Sequence, residues 1–291
     1  MRIAIQGELG SFSHEAALRM AEEMDAMPDS AATIVPCALS VDVFRMIADS
    51  AVDAAVIPIE NSLAGPVAEH FDLLLNQDVA IERESLLRIR HNLIVLPGTG
   101  LESIERVFSH PVALAQCRVF FDEHPGIRSV PYYDTAGSVK QIVEAQEARA
   151  AAIASRQAAC QYGGQILLAG IEDNPANFTR FLLVRRAELV RCDPSADKVS
   201  LAFTVENRPG TLVEALQVFA RLGTNMTKIE SRPVVGEPWQ YIFYVDYQLS
   251  TTASADSILE ILQSSCSMVR ELGRYRSAAL DPVASPGWPV S

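Results

Sequence analysis

A chain of 291 residues, 49% apolar and 21% charged, has the composition of a globular protein and the length for two domains with full hydrophobic cores. Its formal net charge of −12 argues against nucleic acid as a partner and would repel an anionic substrate at long range, so an anion site has to be built locally. The apolar runs are short and interrupted, which excludes a membrane span, and five scattered cysteines without a CxxC spacing fit inert thiols in a reducing cytoplasm rather than a disulfide scaffold or a zinc site.

The start, MRIAIQGELG, enters a strand pattern at once, with no charged stretch and apolar core ahead of it. No signal peptide is expected, and a cytoplasmic location follows. Strand patterns are read at residues 2–6, 54–57, 93–96, 107–108, 129–133, 151–154 and 181–184. Helix patterns fall at 13–24, after Pro111 and at 138–148. Strands alternating with helices predict an α/β fold with a largely parallel sheet. The alternation stops near Val184, and residues 186–197 form a polar linker. Strands at 199–205, 226–230, 239–247 and 267–272, with helices at 211–222 and 254–265, then give βαββαβ, the ferredoxin-like plan. Residues 277–291 are a Pro-rich tail.

Most strands of the first part run into small hydroxyl, amide or carboxylate residues and then a helix: QGELGSFSHEAA, PIENSLAGPV, SHPVALAQC, DTAGS and SRQAA. Ligands of open α/β sheets bind at these carboxyl ends, where helix starts offer free N–H groups to anions. The first loop is not GxGxxG, no HExxH or other metal-ligand spacing occurs, and no GxSxG elbow is present. No cofactor and no metal are expected. His110 reads as an N-cap before Pro111 at least as well as a catalytic group. In NPANFTRFLLV, a regular strand places Thr179, Phe181 and Leu183 on one face and Phe178, Arg180 and Leu182 on the other. An ion pair at the sheet edge accounts for Arg180, and a β-branched strand start for Thr179, as well as a ligand does.

The motifs GELGSFSHEAA, VIPIENSLAG, SHPVALAQC, DTAGSV, AAIAS, NFTRF, NRPGTL and KIESRP, in this order, resemble those of the prephenate dehydratase family with a C-terminal ACT regulatory domain. The resemblance covers almost the whole chain. It departs at Glu8, where the family often has proline, and at Thr211, where the regulatory loop more often reads Gly-Ala-Leu. It implies a catalytic domain over residues 1–185 with two lobes like type II periplasmic binding proteins, the second at about 90–166, and an ACT domain over 198–276. It implies conversion of prephenate to phenylpyruvate in L-phenylalanine biosynthesis, by loss of the ring carboxylate and the 4-hydroxyl. With no chorismate mutase segment ahead of Met1, a monofunctional enzyme is expected.

The threonine of the TRF motif, Thr179, is then the essential residue. Ser11, Glu60, Asn61, Ser62, Thr135, Arg180 and Phe181 are expected around the substrate. Two loops are expected to take L-phenylalanine as feedback effector: Asn207, Pro209, Gly210, Thr211, Leu212 and Val213 in the first, Glu230, Ser231, Arg232 and Pro233 in the second. ACT domains pair edge to edge, so a homodimer or homotetramer is expected. Arogenate dehydratase, the same elimination on an amino-bearing substrate, and a non-catalytic amino-acid sensor are the alternatives.

Overall fold

Ile3, Ala4 and Ile5 are fully buried, as are Ala54 to Ile57, and the two runs lie side by side as parallel strands. A computed structural model describes residues 1–24, 32–191, 193–234, 236–249 and 254–279; Cys192 and the Pro-rich end beyond Ala279 fall outside them. By contacts the chain divides into two units, one holding Met1–His70 and Ser85–Leu182, the other Phe71–Glu84 and Leu183–Ala278.

The first unit starts with β1 (Arg2–Gln6), α1 (Phe12–Met24), β2 (Thr33–Cys37), α2 (Ser40–Ala48), β3 (Ala54–Asn61) and the short β4 (Gly65–Pro66). Next come α3 (Ala68–Asn76) and β5 (Val79–Arg88), which carry the chain into the second unit and back. The rest is β6 (Asn92–Val95), β7 (Arg106–Ser109), α4 (Pro111–Ala115), α5 (Arg118–Glu123), β8 (Arg128–Pro131), α6 (Thr135–Glu144), β9 (Ala150–Ala154), α7 (Arg156–Tyr162), β10 (Gln165–Ala169) and β11 (Phe178–Arg186).

These strands build two sheets. One has the order β2-β1-β3-β11-β5, with β4 on β3; the other has the order β10-β6-β9-β7-β8. Each lobe therefore has its own sheet, and the chain returns to the first lobe through β11. The second sheet is mixed rather than largely parallel, because β6 pairs antiparallel with both β9 and β10 while β7 runs parallel to β8 and β9. The wholly buried β9, AAAIA, sits at its centre, and its small side chains let α6 and α7 pack closely onto one face.

The sequence reading omits β2, β4, β5, β10, α2 and α5, and places helices after PIENSLAGPV and at SRQAA, where α3 and α7 stand, without bounds. β5, VAIERESLLR, places the three charges Glu82, Arg83 and Glu84 in a row and then Leu86 beside Leu87, so a period of two is not visible in it. Strand 54–57 continues to Asn61, because Pro58 takes part in it without ending it.

The second unit contains β12 (Lys198–Thr204), α8 (Thr211–Arg221), β13 (Met226–Pro233), β14 (Tyr241–Gln248), α9 (Ala255–Ser265) and β15 (Met268–Tyr275) in the order βαββαβ. The sheet order is β13-β14-β12-β15. Leu201, Phe203 and Val245 point to the face on which Phe219, Ile258 and Leu262 of the two helices pack. Trp239 is exposed with φ +67°, in the turn ahead of β14, so that strand begins later than expected.

The opposite face of this sheet takes the segment Phe71–Glu84. Phe71 packs its ring against Tyr244, and Lys228 lies over the Phe71 ring. Arg232 forms a two-toothed ion pair with Asp72, Nε to Oδ1 at 2.9 Å and Nη2 to Oδ2 at 2.7 Å. Arg270 donates to the carbonyls of Leu75 and Gln77, and Lys198 Nζ to both oxygens of the buried Glu84. A side chain on Gly273 would strike the backbone of Ile81.

Within the first unit the two lobes meet closely at Gly10. Its φ is +87°, and a Cβ there would lie 2.7 Å from the Cα of Ala158. Ser155 Oγ caps α7 and donates to the Gly10 carbonyl at 2.6 Å. Gly10→Ala therefore combines a left-handed backbone cost of about 1–2 kcal/mol with a backbone clash. A thermal midpoint lowered by several degrees is expected in a melting scan, and an unchanged midpoint would show that the lobes give way there at no cost.

Candidate active site

The strand period at β11 sorts its residues. Thr179 and Phe181 line a cavity of about 650 Å³, and Arg180 between them does not. Arg180 turns to the other side, where Nη1 pairs with Glu60 Oε1 at 3.1 Å. Glu60 is likewise absent from the lining, since β3 alternates too and its neighbour Asn61 faces inward. Ser62 also lies outside: its Oγ donates to the Ala176 carbonyl at 3.0 Å and accepts from the Phe178 N–H at 3.0 Å. Of the expected substrate residues, the fold brings Ser11, Asn61, Thr135, Thr179 and Phe181 onto one cavity. Ser62 ties its turn to the backbone at Ala176 and Phe178, and Glu60 and Arg180 pair outside the lining.

Asn61 fixes the polarity of the site. Its Oδ1 accepts from the backbone N–H groups of Leu63 at 3.0 Å and Ala64 at 2.8 Å. Backbone donors allow only one assignment of the carboxamide, so Nδ2 points the other way. There it lies 2.9 Å from Thr179 Oγ1, 2.7 Å from Asn177 Oδ1 and 3.1 Å from the Phe178 carbonyl. Thr179 Oγ1 is thereby an acceptor toward Asn61, and its proton is left to give into the cavity. The stiff β-branched side chain holds that aim.

Gln116 and Asn177 extend this polarity, and the sequence reading named neither. Asn177 is fully buried, and its Nδ2 donates to Gln116 Oε1 at 2.9 Å. The signal available was the string of amides in the motifs, which reads equally well as turn chemistry. His91, buried against the edge of Phe12, approaches the same Gln116 Oε1 with Nε2 at 2.9 Å. Burial holds the imidazole pKa below its ordinary value.

Two long helix starts face the cavity. Ser11 precedes α1, its Oγ accepting from the His14 N–H at 3.3 Å. Asp134 caps α6, accepting from the Gly137 N–H at 2.7 Å, with Thr135 next to it. His110 caps the short α4 ahead of Pro111, accepting from the Val112 N–H at 3.3 Å. Among the described residues no lysine or arginine lines the cavity, while Glu8 and Asp134 do. Burial raises the Asp134 pKa against the pull of its backbone donors. Glu8 is matched by three donors of the second lobe: Tyr133 Oη at 2.8 Å, Lys140 Nζ at 3.3 Å and Tyr162 Oη at 3.5 Å. A Cβ on Gly7 would lie 2.7 Å from Asp134 Oδ2 at a φ of +95°, so glycine is required where this carboxylate crosses to the first lobe.

In the second unit the expected effector residues divide. Gly210 has φ +93° and stands at the start of α8, and Thr211 Oγ1 donates to the carbonyls of Glu206 at 2.7 Å and Arg208 at 2.9 Å. Val213 is exposed, and Leu212 is half-buried against the core. On β13, Glu230 and Arg232 share the face that carries Asp72, while Ser231 and Pro233 take the other. One small ligand cannot touch all four side chains of a regular strand. A separate cavity of about 430 Å³ is lined by Asn207, Glu237 and Gln240 among others, and Pro209 and Gly210 lie outside its lining.

A two-lobed α/β unit with a polar, anion-ready cavity, joined to a βαββαβ unit, defines a small-molecule enzyme with a regulatory module. Residues 3–189 match the family model for prephenate dehydratase, and residues 199–246 that for the ACT domain. The chain is 38% identical over 285 residues to arogenate dehydratase/prephenate dehydratase 2 of Arabidopsis thaliana, covering 94% of this chain and 72% of that protein. Among solved structures, a prephenate dehydratase from Arthrobacter aurescens in complex with L-Phe superposes with a TM-score of 0.84 at 32% identity, over 98% of this chain and 94% of that one. A chain titled GqqA, a novel type of quorum quenching acylase, also superposes with a TM-score of 0.84 at 31% identity, over 98% and 100%. This chain belongs to the prephenate dehydratase family. No helix among the described residues is long and apolar enough to cross a membrane.

Thr179→Val removes the proton donor at nearly constant volume, and Asn61→Asp removes the amide donor while keeping the acceptor for Leu63 and Ala64. Losing one positioned donor typically costs on the order of 10²–10³ in rate. Both variants are expected to bind substrate and lose kcat by about that factor, with Thr179→Ser recovering part. Near-normal kcat in Thr179→Val would remove the hydroxyl from the reaction.

Proposed function

We propose that this chain converts prephenate to phenylpyruvate, with carbon dioxide and water as the other products, and that Thr179 protonates the departing hydroxyl. The observation that carries the reading is the Thr179 hydroxyl, which lines the cavity and accepts from Asn61 Nδ2 at 2.9 Å. The carboxylate–ring bond breaks, its electron pair enters the ring, and the 4-hydroxyl leaves with a proton as water. Aromatisation drives the step, so the protein's tasks are orientation, carboxylate binding and help for the leaving oxygen. A free threonine is a poor acid. Held by Asn61, it acts as a donor aimed where charge develops in the transition state, and water resupplies the proton.

Prephenate carries two carboxylates, and the N–H groups at the starts of α1 and α6, with Ser11, Ser13 and Thr135, suit them. Phe181, Ile89 and Val67 supply apolar wall for the departing carbon dioxide. No metal or cofactor takes part in the reaction as drawn. The test is incubation of the pure protein with prephenate while phenylpyruvate is followed by its ultraviolet absorbance. Arogenate in parallel assigns the preference between the two substrates. Turnover of neither would overturn the assignment.

Feedback by L-phenylalanine through residues 198–276, a cytoplasmic location and a homodimer or homotetramer complete the proposal. An exposed edge strand, β13, supports pairing with a second copy. The Arg232–Asp72 pair lies on that strand and ties it to α3, whose first residues follow the cavity-lining Pro66 and Val67 in the chain. An effector that prefers one arrangement of β13 biases α3 through this grip. Asp72→Asn weakens it, so the phenylalanine concentration for half-inhibition is expected to shift several-fold with basal kcat kept, within an overall coupling of about 1–3 kcal/mol. An unchanged inhibition curve would place the coupling elsewhere.

A further inference from the structure

His91 has one ring nitrogen in the amide network and one without a partner. Nε2 lies 2.9 Å from Gln116 Oε1, while the buried Nδ1 meets no donor or acceptor. The Gln116 orientation is not free. Its Oε1 accepts from Asn177 Nδ2, Asn177 Oδ1 accepts from Asn61 Nδ2, and Asn61 Oδ1 is held by the Leu63 and Ala64 N–H groups. Each step admits one assignment, so the atom facing His91 is an oxygen and Nε2 carries the proton. The ring is set at its backbone as well, with His91 N–H donating to Glu172 Oε2 at 2.9 Å and the His91 carbonyl accepting from Ile171 N–H at 2.9 Å.

We infer that His91 is a positioning residue of the dehydration: its Nε2–H anchors the chain Gln116–Asn177–Asn61 and so holds the Thr179 hydroxyl in its donating direction. The inference rests on the proposed reaction for its kinetic meaning, and on the amide geometry alone for its tautomer. Gln116 Oε1 with two donors is pinned; without His91 the orientation is left to Asn177 and to a long contact of Gln116 Nε2 with Asn61 Oδ1 at 3.5 Å, and the amide can turn and offer Nε2–H to Asn177 instead. That turn sets a donor against a donor and loosens Asn61, the only donor the structure gives to Thr179 Oγ1 among the described residues.

The test compares wild type, His91→Leu and His91→Gln. A glutamine amide reaches the place of Nε2 and restores an N–H; leucine fills the space and restores none. His91→Leu is expected to lose about tenfold in kcat or more, with KM for prephenate within about twofold, and His91→Gln to regain most of it; a lost Gln116 hydrogen bond of ordinary strength sets that scale. Equal losses in both variants, or a loss confined to KM, would overturn the positioning role. Long-range ¹H–¹⁵N NMR of the wild-type protein near pH 7 gives a readout that needs no turnover. Neutral His91 with the proton on Nε2 is expected; a proton on Nδ1 would overturn the relay. A wild-type protein inert toward both prephenate and arogenate but showing the Nε2–H form would sink the assigned reaction and leave the tautomer standing.

Discussion

The orientation of one carboxamide governs the rest of the site. Two backbone N–H groups in the turn after β3 take the oxygen of Asn61, and a backbone donor, unlike a side chain, cannot be flipped to suit. The nitrogen must then point at β11, the strand that returns from the second lobe to the first. A turn formed by residues 61–64 thus decides what a hydroxyl at residue 179 can do. Buried polar chains of this kind specify one arrangement because a reversed member strands a donor against a donor.

Charge imposes the second constraint. A chain of net charge −12 that is to hold a dianion would ordinarily use arginine or lysine, and none lines the cavity among the described residues. Helix starts and hydroxyls line it instead, groups that can orient a carboxylate without a strong point charge. The two carboxylates of the lining are managed separately. Burial makes Asp134 harder to ionise, and Glu8 is engaged by Tyr133, Lys140 and Tyr162; burial first and the Glu8 charge second raise the Tyr162 pKa to about 12. Glu8, the departure from the family's usual proline, therefore ties the lobes together at the cavity mouth.

Where the chain speaks through strong local patterns, the sequence was readable. The βαββαβ order, the strand alternation that separates Thr179 from Arg180 and the His110–Pro111 helix start all follow from period and capping. The role expected of Thr179 came from resemblance, because nothing local distinguishes a threonine that serves a ligand from a strand starter; Asn61 stood out only as one of three polar residues after a buried strand. The split of Glu60 from Asn61 was in principle available, since adjacent residues of one strand face opposite ways; it was missed because β3 was ended at Ile57, and a loop carries no such rule. Asn177, Gln116 and His91 were illegible for a different reason. Their contacts exist only when residues 25, 55, 61 and 116 positions apart in the chain are brought together.

The same reasoning explains why the packing of residues 71–84 was not legible in the sequence, although the family models divide the chain as the sequence reading does, at 3–189 and 199–246. Residues 1–185 read as one catalytic stretch because its strands and helices alternate without a break, yet Phe71–Glu84 makes its contacts with Leu183–Ala278. Nothing about DLLLNQDVAIERE marks it as belonging elsewhere; its partners Arg232, Tyr244, Arg270 and Gly273 lie at least 160 residues on. Two consequences follow physically. A chain cut near Arg185 would leave Phe71 without Tyr244 and remove the lysine that meets the buried Glu84, so residues 71–84 are stabilised by the sequence that follows Arg185. And residues 186–197, polar and unpatterned, are not the chain's one passage between its two units, because α3 and β5 also cross that division. α3 is gripped at Asp72 by a bidentate arginine, and along the chain its start follows the turn that orients Asn61.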